Sequence, residues 1–152
     1  MKGDYMLYIF ICIGTTKIVG DSLGPITGTF LKEKYMNNER IKVFGDINKQ
    51  IDFYNADRVF CEIEKKYNKD CIKIIIDSAL GNKIGHFEVS QGDIYLGKGL
   101  NKNKVINGDI NIIGTVGRDY GDMMRNLAEL KSLKIKYINQ MAKEIVRAID
   151  FA

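Results

Sequence analysis

Two aspartates follow two apolar, strand-like runs, and their type and placement suit acid–base chemistry. Asp21 lies in the loop 14–25, which follows the apolar run 5–13. Asp77 closes the apolar run 71–76. The carboxyl ends of parallel strands meet at one edge of a sheet, where ligands bind, so we expect the two carboxyl groups to face one another. Neighbouring carboxylates share one proton, so that one activates water while the other donates to a substrate carbonyl, and the two titrate as a unit.

Three other kinds of chemistry fit the same loop less well. A P-loop needs Lys after its second glycine, whereas Gly20 is followed by Asp21. A dinucleotide fingerprint needs G-x-G-x-x-G directly after the strand, whereas Gly14 is followed by Thr-Thr-Lys. The run Gly-Asp-Ser-Leu that contains Ser22 is the signature of GDSL esterases, which need a histidine base. The one histidine, His86, lies in mid-sequence, and a serine without a base is a poor nucleophile. Esterase chemistry at Ser22 is therefore kept only as a third option.

Polar residues near the two aspartates are predicted to contact a substrate. They are Thr15, Thr16, Ser22, Ser78 and Arg118. Arg118 supplies a positive charge able to hold a substrate carboxylate. Tight turns are predicted at Gly14, Gly20, Gly24 and Gly81. A structural alternative stays open, in which Asp21 satisfies free N–H groups at a helix that begins near Pro25, while the hydroxyl groups bond to the backbone.

The composition is that of a globular protein with neither a nucleic-acid nor a membrane partner. Of the 152 residues, 45% are hydrophobic, which is far from a disordered chain, and the net charge is +4. The basic residues are dispersed, whereas a nucleic-acid-binding surface combines a dense basic stripe with aromatic residues. The apolar run 6–13 is too short to span a membrane, and no cleavage site follows it. Three cysteines without C-x-x-C spacing are typical of reduced thiols, so we expect a cytoplasmic protein.

The order of elements predicts one α/β domain over residues 1–152. The expected elements are a strand at 5–13, a helix from Pro25 to about Tyr35, a strand at 41–44, a helix at 48–67, a strand at 71–76, a hairpin of strands 84–89 and 94–96, a polar loop at 97–107, a strand at 110–116 and a helix at 122–149. The first five alternate between strand and helix. Right-handed crossovers then place helices on both faces of a parallel sheet.

The loop sequence also resembles a known family. Residues 13–25 read Ile-Gly-Thr-Thr-x-x-x-Gly-Asp-Ser-Leu-Gly-Pro and resemble the YyaC-type sporulation proteins of spore-forming bacteria. The resemblance continues through 44–45, 75–81, 108–110 and the terminal helix, and so covers nearly the whole chain. That family is similar to the spore germination protease and, more distantly, to the hydrogenase maturation peptidases. The resemblance therefore implies a three-layer α/β/α sandwich with a mixed, mostly parallel sheet.

By position, the resemblance assigns Asp21 and Asp77 to the two aspartates proposed as catalytic in the germination protease. The maturation peptidases place acidic residues at the equivalent turns and bind nickel there with a histidine. A metal site with His86 as third ligand is the alternative to the site without metal or cofactor that we expect. The sequence departs from its relatives near the second helix, where it keeps only Asn55, and in the segment 92–97, which lacks both of their prolines.

Two functions follow from the resemblance. In the first, the chain is a sporulation-associated peptidase that acts on a protein or peptide through the aspartate pair. In the second, it is a non-catalytic sporulation factor that uses the same fold to bind a partner protein. Either protein would work in the cytoplasm of the forespore or mother cell, and either would be compatible with a homo-oligomer.

Overall fold

The computed structural model of the chain describes residues 6–67, 70–100, 102 and 104–149. Within these residues, five strands form one sheet in the order β2-β1-β3-β5-β4. The strands are β1 (Leu7–Cys12), β2 (Ile41–Phe44), β3 (Cys71–Leu80), β4 (Phe87–Leu96) and β5 (Lys104–Gly117). The helices are α1 (Leu23–Lys34), α2 (Ala56–Tyr67), α3 (Met123–Ser132) and α4 (Ile135–Ala148), with short 3-10 turns at Val19–Asp21 and Lys98–Leu100. No helix in this described part is long and apolar enough to cross a membrane.

The sheet is mixed and mostly parallel, as predicted. β1 pairs in parallel with β2 and with β3, and β3 pairs in parallel with β5. β4 runs antiparallel to β5 at one edge. The register of β1 against β3 joins Leu7 to Cys71 and Cys12 to Ile76. Residue 5, where the first strand is predicted to begin, lies outside the described residues.

Side chains alternate along β1 and so contribute to two separate cores. Phe10 and Cys12 are fully buried in one cluster, together with residues of α1 and α4. Ile9 and Ile11 are fully buried in the other cluster, together with residues of α2. Burying an isoleucine or phenylalanine side chain contributes about 1.5–3 kcal/mol, so both faces of the strand are strongly specified. The result is the three-layer α/β/α arrangement that the resemblance implies.

The helices cover both faces of the sheet, as predicted, but some of their boundaries differ from the prediction. α1 ends at Lys34, before the two asparagines, as predicted. The predicted helix 48–67 is wrong over residues 48–55, because the Asp52 carboxylate accepts the N–H groups of Tyr54 and Asn55 and forms a turn before α2. The predicted single helix 122–149 is also wrong. Leu133 adopts an extended backbone that separates α3 from α4.

The segment after β3 differs most from its prediction. The expected hairpin between 84–89 and 94–96 is instead the single strand β4, with a bulge near Gly92. The pairing continues because β5 is 14 residues long and supplies partners along most of β4. The predicted polar loop 97–107 is accordingly shorter, since β5 begins at Lys104, and residues 101 and 103 lie outside the described part.

The outer half of the β4–β5 ribbon lies over the second core. Leu96 and Ile106 are buried in the same cluster as Ile75 of β3. The ribbon also reaches the loop before α2, because a methyl group placed on Gly97 would lie 3.3 Å from a ring carbon of Phe53. The 3-10 turn that follows contacts α3. The tip of the ribbon is therefore brought to the edge of the sheet where β1 ends.

Candidate active site

Asp77 lies within a strand rather than at its end. It is the seventh residue of the ten-residue β3 and stands opposite Ile113 of β5. The last pair between β1 and β3 joins Cys12 to Ile76, and the N–H of Ile13 donates to the Ile76 carbonyl at 2.8 Å. The prediction that a turn begins at Asp77 is wrong, because β5 pairs with β3 as far as Leu80. Asp77 thus sits just beyond the end of β1.

Asp21 closes the loop that leaves β1. It is the last residue of the 3-10 turn Val19–Asp21 and is separated from α1 only by Ser22. Its backbone carbonyl accepts the N–H of Thr15 at 2.9 Å, and its own N–H donates to the Ile18 carbonyl at 3.0 Å. A Cβ atom at Gly14, where φ is +150°, would lie 2.1 Å from the Asp21 carbonyl oxygen. The loop therefore needs glycine there to fold back over the end of β1.

Asp21 and Asp77 line the same pocket, which has a volume of about 500 Å³. Apolar walls are formed by Ile18, Phe53, Leu80, Leu96, Leu100 and Leu130. Charged groups at the pocket are Lys17, Asp52, Lys98, Lys102 and Asp119. The lining comes from the ends of β1 and β3, the loop before α2, the tip of the β4–β5 ribbon and the region of α3. A pocket of this size, mostly apolar with a few convergent polar groups, is typical of a ligand site.

The environment of the pocket shifts the acidity of both carboxyl groups. Burial raises the pKa of Asp21 to about 7, against hydrogen bonds from the Ser78 hydroxyl and the Thr15 N–H, which lower it. The charge of Asp52 raises that pKa further, and the charge of Lys102 lowers it. Burial, and then the charge of Asp21, hold the pKa of Asp77 well above its usual range, although the Ser78 N–H donates to its carboxylate at 2.8 Å. The pair therefore retains a proton near neutral pH.

Two of the predicted substrate-contacting residues lie at the pocket. Thr15 lines it, and its hydroxyl accepts the N–H of Lys17 at 3.2 Å. Ser78 lines it as well and contacts both aspartates, through its hydroxyl to Asp21 and its N–H to Asp77. Ser78 thus bridges the two acidic side chains.

The other three predicted contacts do not line this pocket. Thr16 is exposed and makes two hydrogen bonds with the Gln50 side chain: its hydroxyl accepts the amide N–H at 2.7 Å, and its backbone N–H donates to the amide oxygen at 3.0 Å. Ser22 is buried, and its hydroxyl donates to a carbonyl of the preceding turn at 2.5 Å. It occupies the N-cap position of α1 without a side-chain capping bond, so Asp21 does not cap that helix. Arg118 is exposed and lies over the ring of Tyr120.

The four glycines predicted at turns have different roles. Gly14 and Gly20 do lie in the folded loop before α1. Gly24 is not in a turn but inside α1, where a Cβ atom would lie 2.0 Å from the Ile13 carbonyl oxygen, so its role is to let the helix approach β1. Gly81 follows β3 in a bend, and a Cβ atom there would make only ordinary contact, at 3.4 Å, with Thr115.

The basic and aromatic wall of the pocket is not predicted by the sequence pattern. The Lys102 ammonium donates to the Tyr54 hydroxyl at 3.1 Å and lies 5.3 Å from the centre of the Phe53 ring. Asp52, whose charge raises the pKa of Asp21, belongs to the same wall. These residues fall in segments predicted as helix and as polar loop. No local pattern marks them, because only the folding of the β4–β5 ribbon over the sheet brings them to the aspartates.

The pocket does not fit the alternative metal site in which His86 is the third ligand beside Asp21 and Asp77. His86 is exposed ahead of β4, its carbonyl accepts the N–H of Thr115 at 2.8 Å, and it does not line the pocket. Across the described ranges, no three His, Cys, Asp or Glu side chains gather as a metal-binding group. Imidazole is the ligand that suits nickel, and two carboxylates alone favour harder cations.

Comparison with known proteins gives a family, a relative and a shared fold. A family model described as "Protein of unknown function (DUF1256)" matches residues 2–148. The chain is 33% identical over 110 residues to "Uncharacterized protein YyaC" of Bacillus subtilis (strain 168), and this alignment covers 71% of the chain and 52% of that protein. The chain thus spans about half the length of this curated relative. The crystal structure of a NiFe hydrogenase maturation protease, HycI from Thermococcus kodakarensis KOD1, is similar with a TM-score of 0.60 and 13% identity, over 94% of this chain and 89% of that one. That similarity shows the fold alone.

Proposed function

The chain belongs to the family described as protein of unknown function (DUF1256), and from that premise we propose that it is a peptidase-like hydrolase acting through Asp21 and Asp77. One observation carries the proposal. Two carboxyl groups from separate elements line one pocket, and their pKa values are both raised, so that they hold a proton between them near neutral pH. A carboxyl group kept protonated beside an ionised one is the arrangement that aspartic proteases use.

The mechanism uses the pair as a unit. The ionised carboxylate takes a proton from a water molecule as the water oxygen bonds to the carbonyl carbon of the substrate. The protonated carboxyl group donates its proton to the carbonyl oxygen. The tetrahedral intermediate then collapses: one of its hydroxyl groups returns a proton to the pair, the carbon–nitrogen bond breaks, and the pair gives its other proton to the leaving amine, which restores the starting state with one proton on the pair. Ser78 and Thr15 position the Asp21 carboxylate through their hydrogen bonds.

The proposed substrate is a protein or peptide, and the proposed setting is sporulation. The fold shared with a maturation protease supports the first part of this proposal. The resemblance of residues 13–25 to sporulation proteins supports the second, with the cytoplasm of the forespore or mother cell as the site of action. We propose that residues 1–152 work as one domain and without a metal.

The test is cleavage of peptides by the purified chain. The assay would use small acid-soluble spore proteins and a tryptic peptide mixture, with new termini identified by mass spectrometry. We expect Asp21→Asn and Asp77→Asn each to lower the rate at least about 100-fold, because general acid–base groups typically contribute that much. Asp93→Asn, on the exposed part of β4, is the charge-matched control and retains activity. Unchanged cleavage in the double aspartate variant would exclude the mechanism, and binding without cleavage by the native chain would favour the non-catalytic alternative.

A further inference from the structure

β3 is longer than its neighbour β1, and the excess forms an unpaired edge inside the sheet. Pairing of β1 with β3 ends at Ile76, whereas pairing of β5 with β3 continues to Leu80. Residues 77–80 therefore have a strand on one side only. The chain turns away from β3 after Ile13 and folds back through Thr15, so this side of residues 77–80 faces the pocket rather than a strand.

The hydrogen bonds of β3 show which backbone groups face this open side. The Ile76 carbonyl accepts from Ile13, so even-numbered residues direct their N–H and C=O groups toward β1. The N–H of Gly81 donates to Gly117, so odd-numbered residues face β5. The register of β5 shifts opposite Ala79 and Leu80, but the alternation of β3 holds because Gly81, beyond the shift, still faces β5. The Ser78 carbonyl and both the N–H and the carbonyl of Leu80 therefore point to the open side. The Ser78 N–H, which also belongs to this side, donates to the Asp77 carboxylate.

The open edge lies on the pocket of the acidic pair. Every residue from Asp77 to Leu80 lines that pocket, and Ile13 and Asp21 line it from the other side. Backbone donors and acceptors removed from water need partners, and a ligand in the pocket would cover them. Apolar side chains beside the edge, from Phe53, Leu96 and Leu100, form walls on which a ligand could place side chains of its own.

We propose that residues 78–80 bind the main chain of an extended polypeptide, which pairs with β3 as an added strand and so lays its scissile bond beside the two aspartates. An edge strand offers regularly spaced main-chain groups, which a polypeptide matches and a compact small molecule does not. Successive side chains of a strand point to opposite faces, so every second side chain of the bound peptide meets the apolar wall. The identification of this peptide as a substrate rests on the proposed function, but its binding does not.

Binding can be measured without cleavage in the Asp21→Asn, Asp77→Asn double variant. The probe is a fluorescein-labelled library of random decapeptides, read by fluorescence anisotropy, and the tightest binder is then remade with one N-methyl group at each position in turn. We expect losses of about threefold to tenfold at alternate positions only, because one main-chain hydrogen bond contributes about 0.5–1.5 kcal/mol. A parallel set of variants compares Leu80→Pro, which lacks the N–H, with Leu80→Ala, which keeps it. We expect Leu80→Pro to bind at least about threefold more weakly than Leu80→Ala.

The outcomes separate this proposal from the proposed function. Absence of any binder, or losses without a two-residue period, would overturn strand pairing, and the N-methyl series gives this answer even if Leu80→Pro fails to fold. Cleavage by the native chain together with a non-periodic series would refute the docking mode and leave the aspartate mechanism intact. A periodic series with no cleavage by the native chain would support the docking mode and refute the hydrolase.

Discussion

Replacing Asp21 by asparagine should change how the stability of the chain depends on pH. In the folded protein the pKa of Asp21 is raised to about 7 by burial, whereas 3.8 is the value of an unperturbed aspartate. Between these two values the folded state binds more protons than the unfolded state. Stability from this group is therefore fully present below about pH 4 and is lost as the pH rises through about 7. Asparagine cannot ionise, so the Asp21→Asn variant keeps this stability as the pH rises.

The magnitude follows from the same two values. A pKa raised from 3.8 to about 7 corresponds to roughly 4 kcal/mol of folding free energy. Asp21 is partly exposed, so solvent screening reduces the effect, and we expect about 2 kcal/mol. Relative to the native chain, Asp21→Asn should thus become more stable by about 2 kcal/mol between pH 4.5 and pH 8.

The assay is urea unfolding followed by circular dichroism at several pH values, with equal ionic strength throughout. Asp93→Asn removes the same formal charge from an exposed position on β4 and controls for net charge. A free-energy difference between the native chain and Asp21→Asn that stays constant from pH 4.5 to pH 8 would refute the reasoning. It would mean that Asp21 titrates alike in the folded and unfolded states.

Three further predictions concern single positions. Ser78→Ala removes a hydroxyl that lowers the pKa of Asp21, so the acid limb of the pH–activity profile should move up by about one pH unit, and Ser78→Thr should restore it. Gly24→Ala should cost about 2 kcal/mol or more in urea unfolding, because its methyl group would strike the carbonyl oxygen of Ile13, just after β1, while Gly81→Ala should stay within about 0.5 kcal/mol. Asp46→Ala should cost about 2 kcal/mol at pH 7, because this buried carboxylate accepts two backbone N–H groups and pairs with a lysine. Hydrogen bonds from that lysine and from the backbone outweigh burial and lower the pKa of Asp46, so the difference should shrink only in strong acid.

A different result would contradict each of these three predictions. An unchanged profile in the alanine variant at position 78 would remove its hydroxyl from the control of Asp21. Equal stability of the two glycine variants would show that α1 moves away from β1 at little cost. A loss at position 46 that grows as the pH falls from 7 to 4 would contradict a carboxylate stabilised in its ionised form.

The sequence carries enough information for the sheet and for the approach of the two aspartates. Alternating strands and helices predict parallel pairing, and parallel pairing predicts that residues following β1 and β3 share an edge. The structure places Asp21 and Asp77 on one pocket, and their catalytic role stays a prediction. The boundary of β3 was beyond sequence reasoning, because Asp77 and Ser78 resemble turn residues and continue the strand only through pairing with β5.

Tertiary pairing also explains the other errors. The segment Ser-Gln-Gly-Asp at 90–93 has the composition of a turn. The long β5 nevertheless pairs with residues on both sides of it, so the segment forms a bulge near Gly92 within the single strand β4. Leu133 continues the apolar stripe of a helix, but its side chain packs against Gly20. A Cβ atom placed on Gly20 would lie 2.9 Å from a methyl carbon of Leu133. Local patterns do not contain the partner in either case. For the same reason the wall of Phe53 and Lys102 carried no signal.

The position of Asp77 in the middle of a paired strand ties the chemistry of the pocket to the interior of the protein. The carboxyl spacing is set by how β1 and β3 stack along their ladder, and Ile11 and Ile75, both fully buried, form a rung of it. Repacking such a rung should shift the two carboxyl groups relative to each other as well as lower the stability of the core. Variation deep in the sheet is therefore expected to change the geometry of the pocket without altering any residue that lines it.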